Sequence, residues 1–449
     1  MNNLEIIRDF PKDFIFGTAT SSYQIEGSMH GGCGLSHWDT FAKKENATFK
    51  GQDGGRACEH IFKWKEDLGL VREAGFSAYR FSFSWPRIQP DGTGELNTKG
   101  ISFYDELIDG MLERDLLPFA TLYHWDLPET LADKGGWQIK DTAERFADYS
   151  EIIVKNFGDR LYSTATINEP WCVSWLSHYW GEHAPGLKSF GATAKSMHNI
   201  LLAHGKSIEV MRSLGQKNLG VVLNKTHVQP LNQSDENISA ANLYDDIHNL
   251  WFDEAIFKGR YPKKLLNIFG DHMPENYQND MDLINQSLDW VGVNYYTRSI
   301  VKFDESEPNF KFSLVEGDLP KTDMGWEIFP NGLSNVLRRL NSDYSKGMPI
   351  HITENGMANA EKIKENDVDD KERIIFYSAH LKEIEALLGE IPIKSYFAWS
   401  LLDNYEWAFG YQKRFGLVYV DYDDLKRIPK ASYKAFQKVL LNRHKGMNN

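Results

Sequence analysis

The sequence predicts a closed (β/α)8 barrel, the TIM barrel architecture, with long loops forming the active-site mouth, and three observations carry that expectation. Eight short runs rich in β-branched and aromatic residues recur along the chain. Stretches with apolar residues at three- and four-residue spacing separate them. Polar or acidic side chains directly follow the apolar runs, where this architecture keeps its chemistry.

The runs are Phe14 to Ala19, Ala78 to Ser82, Leu117 to Leu122, Ser163 to Ile167, Leu219 to Leu223, Trp290 to Asn294, Pro349 to Thr353 and Ser395 to Trp399. Between them the spacing predicts helices over His60 to Ala74, Ile101 to Arg114, Thr142 to Phe157, Ala192 to Leu214, Ala240 to Phe257 and Lys371 to Leu388. Regular alternation of strand and helix means parallel βαβ units, and eight units favour a closed barrel over an open sheet. No Pro/Ser-rich linker or low-complexity tract breaks the chain, so one domain over residues 1–449 is expected. Lys302 to Asp323 is polar, acidic and aperiodic, and reads as a long loop over the barrel mouth.

Composition narrows the function. Hydrophobic residues at 41% and charged residues at 25% suit an ordinary globular protein with a large core. Fifty basic against 63 acidic residues give a net charge of -13, and no basic run follows a phosphate backbone, which argues against nucleic acid as a partner. Met1 to Phe10 carries Glu5, Arg8 and Asp9 instead of a basic then apolar leader, and no apolar run is long enough to span a bilayer. Cys33, Cys58 and Cys172 lack metal-type spacing and read as reduced thiols. A cytoplasmic protein without membrane partners is expected, and self-assembly stays open. Thirteen Trp, many beside polar residues, suit stacking on the apolar faces of sugar rings as well as core filling.

The residues at the strand ends give the chemistry. Gln24 follows the first strand, Arg80 lies in the second, and His124-Trp125-Asp126 follows the third. The fourth gives Asn168-Glu169-Pro170, the sixth Asn294-Tyr295-Tyr296, the seventh Glu354-Asn355-Gly356, and the eighth Trp399 with Glu406-Trp407 beyond it. Each tripeptide alone is common; their ordered occurrence at strand ends is specific.

Two carboxylates facing each other in a buried site are costly and need a reason. Glycoside hydrolysis supplies one: an oxocarbenium-like transition state wants a carboxylate on one face and a proton donor at the leaving oxygen. Glu354 is the expected nucleophile and Glu169 the expected acid/base, with carboxyl groups ~5 to 5.5 Å apart for a retaining enzyme. Arg80 should hold Glu354 ionised, Tyr296 should donate to the same carboxylate, and Asn168 should meet the sugar 2-hydroxyl. Gln24, His124 and Glu406 offer groups for the other hydroxyls, while Trp399 and Trp407 offer stacking faces.

These residues resemble glycoside hydrolase family 1 β-glucosidases, from Phe14-Ile15-Phe16-Gly17-Thr18-Ala19 through Tyr23-Gln24-Ile25-Glu26-Gly27 to Lys426-Arg427-Ile428-Pro429-Lys430. Tyr79-Arg80-Phe81-Ser82 and Tyr123-His124-Trp125-Asp126-Leu127-Pro128 are similar to the second- and third-strand motifs. Thr166-Ile167-Asn168-Glu169-Pro170 resembles the acid/base signature, and Ile352-Thr353-Glu354-Asn355-Gly356 the nucleophile signature. The resemblance implies a retaining β-glucosidase that needs neither cofactor nor metal and acts on terminal β-D-glucosyl residues of β-glucosides or cello-oligosaccharides, with β-galactosidase, β-fucosidase and transglycosylation side activities. It assigns Gln24, His124, Asn168, Glu169, Tyr296, Glu354, Trp399, Glu406 and Trp407 to the sugar subsite. Trp125, Asn294 and Phe415 are further candidate substrate contacts.

The similar 6-phospho-β-glycosidases carry a phosphate-binding Ser and Lys where this chain has Glu406-Trp407, so a free 6-hydroxyl is expected. The similar plant thioglucosidases carry Gln at the acid/base position; Glu169 points to O-glycosides. Tyr405 replaces a commoner Phe. Trp175-Leu176-Ser177-His178-Tyr179-Trp180 is bulkier than the usual Gly-rich stretch and is expected to flank the leaving-group entrance. Trp326 resembles the leaving-group platform, with a buried structural role as the alternative. Two other functions compete: a metallohydrolase using His124, Asp126, Glu169 and Glu354, and a non-catalytic sugar binder. Against the first stands the lack of H-x-H or H-E-x-x-H spacing; against the second, both carboxylates are present.

Overall fold

The computed structural model describes residues 4–360, 363–364 and 367–445; residues 1–3 and 446–449, at the ends of the predicted domain, lie outside the described residues. Eight parallel strands form the barrel: β1 (Ile15–Ala19), β2 (Ala78–Ser82), β3 (Leu117–Tyr123), β4 (Ser163–Asn168), β5 (Leu219–Pro230), β6 (Trp290–Phe303), β7 (Ile350–Asn355) and β8 (Ile393–Trp399). Each pairs with its successor, and β8 pairs back onto β1 from Ile15↔Ser395 to Ala19↔Trp399, which closes the ring. All eight expected strands are present. Helices cover the outside, so strands such as Ala78–Ser82 are buried along their whole length.

The inside of the barrel is packed by side chains below the mouth. Phe119 of β3 meets Phe397 of β8 at 4.8 Å and His351 of β7 at 5.6 Å, and His351 meets Trp290 of β6 at 5.0 Å. Gly17 in β1 is needed beside them, because a Cβ there would lie 2.4 Å from the Phe397 ring. Small inward residues such as Ala19 and Ala78 complete this layer, which forms a solid floor.

The outer helices bury one face each. In Lys140–Phe157 the buried residues Ala143, Phe146, Ala147, Tyr149 and Ile153 follow the three-and-four spacing read from the sequence. The expected helix over Ala240 to Phe257 is divided. Asp235–Asp245 and Trp251–Lys258 are α-helical, and a π-turn, Asp246–Leu250, lies between them. That turn sends Asn249 onto the β5 backbone, where its Nδ2 donates to Thr226 O at 3.0 Å.

The expected irregular loop over Lys302 to Asp323 is partly ordered. β6 runs on to Phe303 and pairs antiparallel with Phe312–Val315, from Ile300↔Val315 to Phe303↔Phe312. Val301 and Phe310 are buried, and Phe312 packs on Tyr244 at 5.3 Å. This apolar face compensates for an acidic composition that hides the strand pattern. No helix among the described residues is long and apolar enough to cross a membrane.

Candidate active site

The strand ends converge on a cavity of about 500 Å3 whose walls include Glu169, Glu354, Tyr296, Glu406, Trp399 and Trp407. Glu169 follows β4 directly, Glu354 lies near the end of β7, and both carboxylates are buried. Their partners differ in kind. Arg80 of β2 donates from Nη1 to Glu354 Oε1 at 2.6 Å, and Tyr296 of β6 donates its hydroxyl to Glu354 Oε2 at 2.6 Å. Glu169 accepts from the neutral Asn294 Nδ2 at 2.6 Å and from the Cys172 thiol at 3.0 Å.

This difference sets the electrostatics. Burial leaves the Glu354 carboxyl raised overall, and the Arg80 guanidinium and the Tyr296 hydroxyl oppose that rise by favouring its anion. Glu169 has no cation on its oxygens, and burial followed by the nearby Glu354 charge pushes it up to about 7. Glu406 is pushed up to about 8, first by burial and then by the charges of Glu354 and Glu169. Burial, with Arg80 nearby, holds His124 well below the ordinary imidazole range, so the ring is neutral.

A polar layer beneath the cavity fixes these groups. Asn168 Oδ1 accepts from Arg80 Nη2 at 2.8 Å and from Asn294 Nδ2 at 3.1 Å, and its Nδ2 lies 3.2 Å from His124 Nε2. Thr353 donates to Asn294 Oδ1 at 2.6 Å, which directs the Asn294 amide nitrogen to Glu169. Trp125 Nε1 donates to the Asn168 carbonyl at 2.9 Å. Gln24 Nε2 donates to Tyr405 O at 2.7 Å and reaches Glu406 Oε2 at 3.4 Å, while Gln24 Oε1 accepts from Ser21. Gln24 thereby orients the Glu406 carboxylate.

Aromatic rings form the rest of the wall. His124 lies parallel to Trp399 and Trp407 at 5.9 and 6.2 Å, and Trp407 contacts Trp125 at 4.7 Å. Trp326 lies 5.4 Å from Tyr296 and 6.2 Å from Phe415, with all three in the cavity wall. Three non-glycine wall residues, Trp125, Glu169 and Trp407, have φ of 82°, 52° and 52°. Left-handed backbone costs each of them ~1–3 kcal/mol, and such strain concentrates where side chains must point into a site.

All the candidate residues therefore lie in this cavity or against it. The bulky stretch after β4 sits differently from expectation. Trp175 is fully buried, its Nε1 3.1 Å from Met197 Sδ, and Leu176 is the member of that stretch that lines the cavity. A π-helix over Cys172–Tyr179 turns Trp175 into the core. Sequence reasoning did not find Cys172, Thr353 or the Trp171–His248 pair, whose rings lie 4.1 Å apart. Cys172, one helical turn after Glu169, was accessible from spacing alone; His248 comes from a distant π-turn and was not. Among the described residues, no group of three or more His, Cys, Asp or Glu side chains is placed to hold a metal ion.

The sequence profile of glycosyl hydrolase family 1 matches residues 7–445. The chain belongs to glycosyl hydrolase family 1. Within this family it is 44% identical over 441 residues to a 1,4-β-D-glucan glucohydrolase of Thermotoga neapolitana, covering 97% of this chain and 99% of that protein. It is 39% identical to a bifunctional β-D-glucosidase/β-D-fucosidase of Bifidobacterium breve, covering 96% of this chain and 98% of the relative. The solved family 1 β-glucosidase from Thermotoga maritima superposes with a TM-score of 0.93 at 43% identity, covering 97% of this chain and 98% of that one.

Proposed function

We propose that this protein is a retaining β-glucosidase that removes terminal β-D-glucosyl residues by double displacement, with Glu354 as nucleophile and Glu169 as acid/base. The observation that carries the assignment is the asymmetry of the two carboxyl groups: Glu354 is paired with a guanidinium, and Glu169, without a cation, is raised to about 7. The first can attack the anomeric carbon as an anion while the second keeps its proton for the leaving oxygen. As the glycosyl bond to Glu354 forms, its charge disappears and the Tyr296 hydroxyl is released. The lost charge lowers the proton affinity of Glu169, which now accepts a proton from the attacking water.

Asn168, with Arg80 and Asn294 on its oxygen, keeps amide hydrogen for the sugar 2-hydroxyl. Glu406 and Gln24 take the hydroxyls at the far end of the ring, and Trp399 and Trp407 give it apolar faces. A phosphate dianion here would add negative charge beside Glu354 and Glu169 at a buried position where those carboxyl groups already disfavour ionisation of Glu406. The names of the Thermotoga and Bifidobacterium relatives support glucosidase activity with tolerance for fucosides.

The test compares rates on nitrophenyl β-glucoside, β-galactoside and 6-phospho-β-glucoside, with cellobiose alongside. Turnover of the glucoside and cellobiose, with the phosphorylated sugar inert, is the expected pattern. Preference for the phosphorylated substrate would overturn the sugar assignment.

A further inference from the structure

Glu169 has two oxygens, and the structure gives them different neighbours. Oε1 takes the Asn294 amide at 2.6 Å. The Thr353 hydroxyl fixes that amide by donating to Asn294 Oδ1, so Nδ2 can only donate to Glu169. A proton on the neutral acid therefore belongs on Oε2, the oxygen 3.0 Å from Cys172 Sγ. Cys172 is buried and also lines the cavity wall.

We propose that Cys172 is a positioning residue that tunes the proton affinity of Glu169, its thiol stabilising the carboxylate weakly enough for Oε2 to exchange its proton with the leaving group and the incoming water. The inference rests on Glu169 being the acid/base. Sulfur is a weak donor and a weak acceptor, so neither protonation state of Glu169 is held tightly. A hydroxyl would donate more strongly and favour the anion; a methyl group would leave Oε2 without this partner. Burial and the Glu169 charge hold the thiol itself well above its ordinary range, which keeps it a protonated donor. The other charged or titratable groups acting on Glu169 are the Glu354 carboxylate, Arg80, Tyr296 and Glu406, each from a different strand or strand end, with neutral His124 elsewhere in the cavity wall and neutral His248 behind Trp171. None of them changes in a Cys172 variant.

The experiment measures the basic limb of kcat/KM against pH on phenyl β-glucoside, whose poor leaving group needs the acid, for the unsubstituted enzyme, Cys172→Ala and Cys172→Ser. The limb should move up in Cys172→Ala and down in Cys172→Ser, each by about half a pH unit. Limbs that coincide in all three enzymes, or move in one direction for both variants, overturn the proposal. Unfolding midpoints check the fold, and kcat/KM on dinitrophenyl β-glucoside, whose leaving group departs without a proton, should fall by the smaller factor. Glu169→Gln separates the two readings. A basic limb that persists there removes the acid assignment itself, whereas a limb lost in Glu169→Gln but unmoved in both Cys172 variants removes only the role of Cys172.

Discussion

At the scale of single residues, what distinguishes Glu169 from Glu354 is the company each keeps. Both were visible in the sequence as acidic residues after apolar strands, inside distinctive tripeptides. Their difference was only partly visible, because it comes from Arg80 on β2, Tyr296 and Asn294 on β6, and Thr353, which meet only when the barrel closes. Replacing Glu354 by Ala removes the attacking group and leaves Arg80 as a buried cation in the site. Hydrolysis should fall by at least about a thousandfold, and added azide should restore turnover by occupying the vacated position. A Glu354→Ala enzyme hydrolysing at the unsubstituted rate would end the nucleophile assignment.

Elements carry the next level of specificity. The barrel strands were legible because each is a short apolar run ending in a polar residue. The hairpin from β6 was not, since its paired segments are only four residues each, Ile300 to Phe303 and Phe312–Val315, and the acidic turn with Asp304, Glu305 and Glu307 dominates the composition between them. Thr297 and Arg298, immediately after Tyr296, reach from the same strand to the loop that carries Trp326. Arg298 Nε donates to Glu327 Oε2 at 2.7 Å, the Leu319 amide donates to Glu327 Oε1 at 2.8 Å, and Thr297 donates to the Glu327 carbonyl at 2.9 Å. A carboxylate that is mostly buried therefore ties the Trp326 loop to the strand bearing the nucleophile's hydrogen-bond donor. Glu327→Gln keeps the shape but loses the ion pair, and the leaving-group wall should loosen. We expect the KM for cellobiose to rise about tenfold, equivalent to roughly 1.4 kcal/mol, with a smaller change for nitrophenyl β-glucoside. Equal effects on both substrates would contradict a role confined to the leaving-group side.

At the scale of the whole molecule, residues far apart in the chain hold the ring closed. β1 pairs with β8, and Asp403, four residues beyond β8, is fully buried among Lys430 Nζ at 2.7 Å, Arg414 Nη1 at 2.7 Å and the Gly416 amide at 2.9 Å. Burial alone would raise the Asp403 carboxyl, but Lys430 and Arg414 hold it below the ordinary range, so its stabilisation is present at neutral pH and lost on acidification through its folded-state pKa. Asp403→Asn removes the buried anion between those cations and should cost about 3–5 kcal/mol, read as a lower unfolding midpoint near pH 7. An unchanged midpoint would remove this contact from the closure of the barrel. The eightfold alternation told the fold class from sequence; such long-range ion pairs carry no local pattern and could not be read there.

Closure brings β4 and β7 to one cavity, and everything proposed for the chemistry depends on the two carboxyl groups acting in succession on the same anomeric carbon. NMR of the first sugar released from a β-glucoside, before mutarotation, tests this most directly. Double displacement predicts β-glucose as the initial product; α-glucose appearing first would contradict it.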